Sequence, residues 1–297
     1  MRREALCRHA VASKLWKNEG CGLSLPENMK KTRLDKKFAA LNKEGKKGFI
    51  AYIGAGDPNL DDTVEIVLEL EKAGVDIVEL GLPFSDPLAD GRVNQDAATR
   101  ALEAGATFAG VMDCVCKIRE RSQIPMIFYA YLNTLYARGF EKAMTEAAEA
   151  GIDGFLILDM PCEESGPYKG AIKAANLNNI VLITPTTPEE RMKKIVKNAN
   201  GFVYCVSREG VTGVRDDGIA VGAAGLVANI KKYTSLPVAL GFGIGTPKDA
   251  ADAAQIADAV VVGSAIVNKF HNNPHTPEGR ADAAVLVAEM VKAVKAV

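Results

Sequence analysis

Histidine is scarce in this 297-residue chain, and the three present, His9, His271 and His275, all lie away from the ends of the apolar runs. That placement disfavours a histidine-ligated zinc centre and proton transfer by imidazole. No apolar run approaches the roughly 18 residues that suggest a membrane span, so a soluble protein is expected. Neither charge is in excess: 36 Lys and Arg against 37 Asp and Glu leave a formal net charge of -1. A polyanion-binding surface is not indicated, and a small molecule becomes the default ligand, with no nucleic acid and no membrane among the expected partners. The six cysteines, Cys7, Cys21, Cys114, Cys116, Cys162 and Cys205, lack any paired metal-ligand spacing and follow no secretory signal. Free thiols in a cytoplasmic protein are therefore expected. Cys114 and Cys116 sit one residue apart in a helical pattern, where their side chains diverge, so they do not form a redox pair. Lysine is missing from the interior of every candidate strand, which leaves a Schiff-base mechanism without its nucleophile.

Hydrophobic residues make up 48% of the chain, enough for a substantial core. Residues 1–28 differ from the rest, with Arg2, Arg3, Arg8, Lys14 and Lys17 and a Gly-Cys-Gly break at 20–22. They read as an extension of unassigned role, expected to be disordered, with 29–297 forming the folded domain and Met29 placed as an alternative start. From Arg33 the spacing of Leu34, Phe38 and Leu41 predicts a short amphipathic helix ending at Gly45. Beyond Lys47, short apolar runs near 49–55, 76–82, 125–131, 154–160, 179–185, 201–207, 237–243 and 259–263 alternate with helical patterns. Near-continuous apolar strands joined by helices predict a parallel sheet covered by helices. Eight such units in about 250 residues fit a single closed (β/α)8 TIM barrel with an N-terminal amphipathic helix. Two junctions, Lys72-Ala-Gly-Val-Asp76 and Glu149-Ala-Gly-Ile-Asp153, place glycine where a left-handed helix cap precedes a strand.

Barrels of this kind carry their chemistry on the loops after the strands. The informative polar residues fall there: Asp57 after the first strand, Asp90 after the second, Asn133 after the third and Asp159 at the end of the fourth. Glu79 is the unusual one, a carboxylate inside the apolar run Asp76-Ile-Val-Glu-Leu-Gly-Leu-Pro-Phe84. The two-residue period puts Ile77, Glu79 and Gly81 on one face of the strand, so Glu79 points into the barrel if Val78 and Leu80 meet the helices. Desolvation there raises a carboxyl pKa toward neutrality, as an acid or base working near pH 7 requires. Gly243 and the pair Gly263-Ser264, at the ends of strands seven and eight, offer backbone amides that suit a phosphate. Gly241-x-Gly243-x-Gly245 lacks the spacing of a dinucleotide fingerprint. An alternative stands beside acid–base chemistry: Asp57, Asp86, Asp90 and Asp159 gathering a magnesium ion at the barrel mouth.

Five segments, Gly56-Asp-Pro58, Glu79-Leu-Gly-Leu-Pro-Phe-Ser-Asp-Pro-Leu-Ala-Asp-Gly91, Ser207-Arg-Glu-Gly-Val-Thr-Gly213, Gly241-Phe-Gly-Ile244 and Gly263-Ser-Ala-Ile-Val267, closely resemble the tryptophan synthase α subunit family. The resemblance runs from about Thr32 to Phe270, and the strand-two segment is its most specific part. It implies retro-aldol cleavage of indole-3-glycerol phosphate to indole and glyceraldehyde 3-phosphate in L-tryptophan biosynthesis, without a cofactor or metal. It also implies a β-subunit partner carrying pyridoxal phosphate, in an α2β2 heterotetramer. Residue by residue, Glu79 matches the acid–base group and Asp90 the carboxylate that accepts the indole N–H. Gly213, Gly243, Gly263 and Ser264 match the phosphate site, and Tyr52, Tyr129, Tyr131, Tyr204 and Phe242 the indole pocket. Tyr204 is expected to position Glu79, Thr212 to close over the substrate, and Asp86 to signal between subunits. Burial is expected to raise Glu79 while Asp90 stays ionised in a wetter loop. Arg92 departs from the proline usual after Ala-Asp-Gly, Gly54 from a usual threonine and Ala51 from a usual proline; the first is expected to loosen the loop. Two other readings are a free-standing lyase that releases indole and a silent barrel that only activates its partner.

Overall fold

The computed structural model describes residues 30–206, 220–241, 243–273 and 275–297. Residues 1–28, read as an extension, lie outside the described residues. The strands are β1 (Gly48–Gly54), β2 (Ile77–Gly81), β3 (Met126–Ala130), β4 (Gly154–Ile157), β5 (Asn178–Ile183), β6 (Val203–Val206), β7 (Val238–Gly241) and β8 (Ala259–Val262). All pair in parallel in chain order, and β8 returns to β1 to close the barrel. Helices cover it: α1 (Arg33–Lys43), α2 (Leu60–Lys72), α3 (Arg92–Glu103), α4 (Phe108–Arg121), α5 (Leu132–Arg138), α6 (Phe140–Ala150), α7 (Gly166–Ala174), α8 (Glu189–Val196), α9 (Ala220–Lys231), α10 (Pro247–Ile256), α11 (Ser264–His271) and α12 (Pro277–Lys295). The expected eight strands are all present, each within a few residues of its apolar run.

Alternation within the strands sorts the core into two compartments. Val78, Leu80, Met126 and Phe128 face outward and pack with the helices, whereas Ile50, Ile77, Ile127, Leu156 and Ile180 fill the barrel itself. Helix α1 stoppers the amino end. Its Leu34, Phe38 and Leu41 join the inner cluster, and the Phe38 ring lies 5.6 Å from that of Phe202. Thr32 and Asp35 form a reciprocal cap at the start of α1, so the helix is ordered locally as well as by packing.

Charges at the same end tie α1 to the strands. Asp153, 2% exposed, receives Arg33 at 3.0 Å and Arg119 at 3.2 Å, and also accepts the Met126 amide. Asp76 accepts the Phe49 amide and the Lys295 ammonium, which anchors α12. The two glycines expected to cap helices adopt left-handed conformations, Gly74 at φ 94° and Gly151 at φ 108°.

Candidate active site

The parity of β2 decides where Glu79 points. Glu79 pairs with Tyr52 on β1 and with Ile127 on β3, among residues whose side chains fill the barrel. It is 1% exposed, and its Oε1 has no hydrogen-bond partner. Burial is the larger cause and the nearby Asp90 charge the smaller one in pushing the carboxyl up to about 8. A carboxylic acid that keeps its proton at neutral pH can therefore deliver it.

Asp90 lies on the loop after β2, and that loop folds back over the barrel mouth. The backbone turns at Leu88 and Asp90, whose amides donate to Asp86 and Pro87, and the Gln95 amide holds the Asp90 carbonyl at 2.9 Å. The Asp90 side chain receives the Tyr129 hydroxyl on Oδ1 at 2.7 Å and the Tyr131 hydroxyl on Oδ2 at 2.8 Å. Asn94, from the first turn of α3, is buried beside this loop, and its Oδ1 has no hydrogen-bond partner. Asp90 is only 4% exposed, which corrects the expectation of a wetter loop. Burial is the largest influence and leaves the carboxyl above its ordinary range, while the hydrogen bonds from Tyr129 and Tyr131, rather than water, pull it back toward the ionised form.

Tyrosines surround the pair. The rings of Tyr52 and Tyr129 meet edge to face at 4.9 Å, and Phe84 stacks obliquely on Tyr131 at 5.1 Å. Tyr52 reaches across the strands because Gly81 has no side chain: a Cβ there would lie 2.5 Å from the Tyr52 hydroxyl. Gly241 clears the same kind of space for Tyr204, whose hydroxyl lies against it. Burial first, and then the Glu79 charge, raises the Tyr204 phenol, which puts Tyr204 beside the acid. Among the described residues, however, no hydrogen bond joins Tyr204 to Glu79.

The glycines at the ends of β7 and β8 lie on the same mouth. Gly243 is left-handed at φ 76°, and Gly263 is the N-cap of α11, with Ser264 as its first residue. A Cβ on Gly263 would sit 3.5 Å from the Tyr52 side chain, so the start of α11 borders the aromatic pocket. A helix start beside an open glycine backbone suits an anionic group. Thr212, Gly213 and Phe242 lie outside the described residues.

The four aspartates considered for magnesium do not converge. Asp57 is held by Arg100 through two bonds of 2.8 and 2.7 Å, and Asp159 accepts the Leu132 amide at the start of α5. Asp86 is exposed on the rim, bonded to Ser85 at 2.6 Å, and Asp90 belongs to the tyrosines. No metal-binding cluster occurs among the described residues. Arg92 begins α3 directly after the Gly91 N-cap and pairs with Asp96 at 2.9 Å, so the helix starts here without a proline.

Asn94 and the Arg100–Asp57 pair carry no motif signal in the sequence. Both partners on α3 occupy positions that read as an ordinary polar helix face, and only the docking of α3 against β1 turns them inward.

The family model for the tryptophan synthase alpha chain matches residues 38–295. The tryptophan synthase alpha chain of Opitutus terrae is 45% identical over 247 residues, covering 83% of this chain and 92% of its own. That of Caulobacter sp. strain K31 is 45% identical over 269 residues, covering 90% and 98%. Among solved structures, tryptophan synthase subunit alpha from Legionella pneumophila superposes with a TM-score of 0.80 at 34% identity, covering 90% of this chain and 100% of that one. With 258 of its residues within the family model and relatives 45% identical over most of its length, the chain belongs to the tryptophan synthase alpha chain family.

Proposed function

We propose that Glu79 and Asp90 carry out the alpha reaction of this family on a substrate whose phosphate sits at Gly213, Gly243, Gly263 and Ser264. The family's alpha chains are carbon–carbon lyases that cleave indole-3-glycerol phosphate without a cofactor and pass indole to a β subunit. The observation that carries the residue assignment is the buried, unpartnered Glu79 carboxyl beside Asp90.

The chemistry follows from those two environments. Glu79 starts protonated and gives its proton to C3 of the indole ring, which places positive charge on the ring nitrogen. Asp90, ionised and fixed by Tyr129 and Tyr131, accepts the N–H bond and stabilises that charge. Glu79, now a carboxylate, removes the proton from the hydroxyl on the carbon attached to C3. The hydroxyl carbon becomes the aldehyde of glyceraldehyde 3-phosphate as its bond to C3 breaks. The bonding electrons return to the ring, and indole is restored. One acid thus serves as donor and then acceptor, ending in its starting state. Tyr52, Tyr129, Tyr131, Tyr204 and Phe242 enclose the ring, and Thr212 closes over the substrate and excludes water. Asp86, on the exposed rim, passes the state of the site to the partner.

The assembly is an α2β2 complex in the cytoplasm, with pyridoxal phosphate confined to the β subunit. Residues 29–297 form the catalytic domain, and 1–28 are dispensable for catalysis. The test is indole release from indole-3-glycerol phosphate, measured with and without a β subunit. Slow turnover alone and a large increase with the partner are expected. Fast turnover alone would mark a free-standing lyase, and none under either condition a silent barrel. A protein beginning at Met29 should match the full chain. Sedimentation of the mixed subunits should give a tetramer of two copies each.

A further inference from the structure

A small recess lies behind the Asp90 carboxyl, between the strand ends, the loop after β2 and α3. Tyr52, Gly81, Asp90, Ala101, Tyr129 and Tyr131 are among the residues that line it. It leaves about 10 Å³ to the centre of a water molecule, close to the space that one water needs. Its walls carry polar groups with capacity to spare. Tyr52 is 6% exposed, and its hydroxyl, carried across to Gly81 by the length of the ring, has no hydrogen-bond partner among the described residues. A buried phenol ordinarily finds one. The Asp90 carboxylate takes one phenol on each oxygen, at 2.7 and 2.8 Å, and a carboxylate offers about four acceptor positions, so each oxygen can take another donor. The Tyr129 hydroxyl, which donates to Asp90, keeps an acceptor position of its own.

We propose that this recess is a water site, in which one ordered molecule accepts from the Tyr52 hydroxyl and donates to the Asp90 carboxylate, making Tyr52 a positioning residue for the alpha reaction. The inference rests on the role given to Asp90 above. One hydrogen of the water goes to Asp90 and the other to the Tyr129 oxygen, so the molecule has three partners, the usual number for a buried water. A bridge of this kind serves nearly as well as a direct bond. It favours the ionised carboxylate, opposing the burial that raises the group. The titratable groups that face Asp90 are Tyr52 from β1, Glu79 from β2, Tyr129 from β3, Tyr131 just after it and Tyr204 from β6. On α3, Arg92 is engaged with Asp96 and Arg100 with Asp57. The charge on Asp90 is therefore held by neutral donors, and each one counts.

The test compares wild type with Tyr52→Phe, which keeps the ring and removes the hydroxyl. Crystal structures of both full chains, at a resolution that shows ordered water, should place a water within hydrogen-bond distance of Tyr52 Oη and an Asp90 oxygen in wild type, and none there in the variant. Each protein, in complex with a β subunit, is also assayed for indole release from indole-3-glycerol phosphate across pH 5–9. Loss of the bridge should lower kcat by about threefold to tenfold with KM little changed, and move the acid limb of kcat/KM up by roughly half a pH unit. The edge-to-face contact with Tyr129 survives the change, so the melting temperatures should agree within about 2–4 °C. A wild-type recess without water would overturn the proposal, and so would a water that stays in place in the variant. An unmoved acid limb would overturn it as well, whether KM rises, as for a hydroxyl that touches the substrate directly, or stability alone falls. If wild type itself releases no indole, the reading of the whole site fails instead, while the crystallographic comparison still tests the water site.

Discussion

Replacing Glu79 with Gln separates the acid's role in catalysis from its effect on stability, and the two should change in opposite directions. Glu79 holds its proton up to about pH 8 in the folded chain, against an ordinary value of 4.5. Below about 4.5 the group is protonated folded or unfolded, and its contribution is fully kept. As pH rises from there, the unfolded chain releases a proton that the folded chain retains, and the fold loses about 1.4 kcal/mol per pH unit until the folded carboxyl itself titrates. At pH 7 the accumulated loss is roughly 3 kcal/mol, an upper figure because water and loop motion relax a buried charge. Gln at this position cannot titrate. Urea unfolding of both proteins at pH 5, 6, 7 and 8 should therefore show the variant gaining on wild type steadily with pH. The slope is the test, since any fixed cost of burying an amide shifts the whole line without tilting it. The same variant should release no measurable indole, while still binding inorganic phosphate or a glycerol phosphate. A stability difference flat between pH 5 and 8 would mean that Glu79 ionises normally, and the proton-delivery step would lose its donor.

Asp90→Asn should lower kcat by about 10²–10³, because the charge on the ring nitrogen loses its counter-charge. It should also move the alkaline limb of the residual activity to lower pH, since the Asp90 charge no longer raises Glu79; a pH–rate profile checks both. Gly81→Ala places a methyl 2.5 Å from the Tyr52 hydroxyl. Steady-state kinetics should show a raised KM, and urea unfolding a loss of about 1–3 kcal/mol. Asp153→Ala strands the buried Arg119 at the opposite end of the barrel. It should cost about 3–5 kcal/mol by urea unfolding, yet leave the rate per folded molecule unchanged.

The barrel was legible because its signals are local. Each strand is a short apolar run, and glycine marks the helix ends at Gly74 and Gly151. The inward direction of Glu79 was legible for the same reason, since parity along β2 needs only Val78 and Leu80 to find the helices. The strand-two motif identified the family through Glu79 and Asp90. What was not legible depends on how separate elements meet. Asp90 reads as a loop aspartate in water. Its burial follows from the loop folding onto Tyr129 and Tyr131, more than 35 residues further along the chain. Asn94 reads as helix surface, because its neighbours Arg92, Gln95 and Asp96 are polar, yet α3 docks with that position turned toward the mouth. Arg100 finds Asp57 across 43 residues by the same docking. The magnesium alternative failed on these contacts: aspartates that look available along the chain are already committed to Arg100, to the Leu132 amide and to two phenols.

The apolar side chains that α1 wedges into the floor of the barrel have a bearing on traffic. A flat, greasy product formed against Glu79 meets Leu34, Phe38 and Leu41 below it and has to depart upward, by the route its precursor used. Any protein that is to collect this product without loss to water must therefore sit as a roof over the rim, where the loop bearing the exposed Leu88 lies.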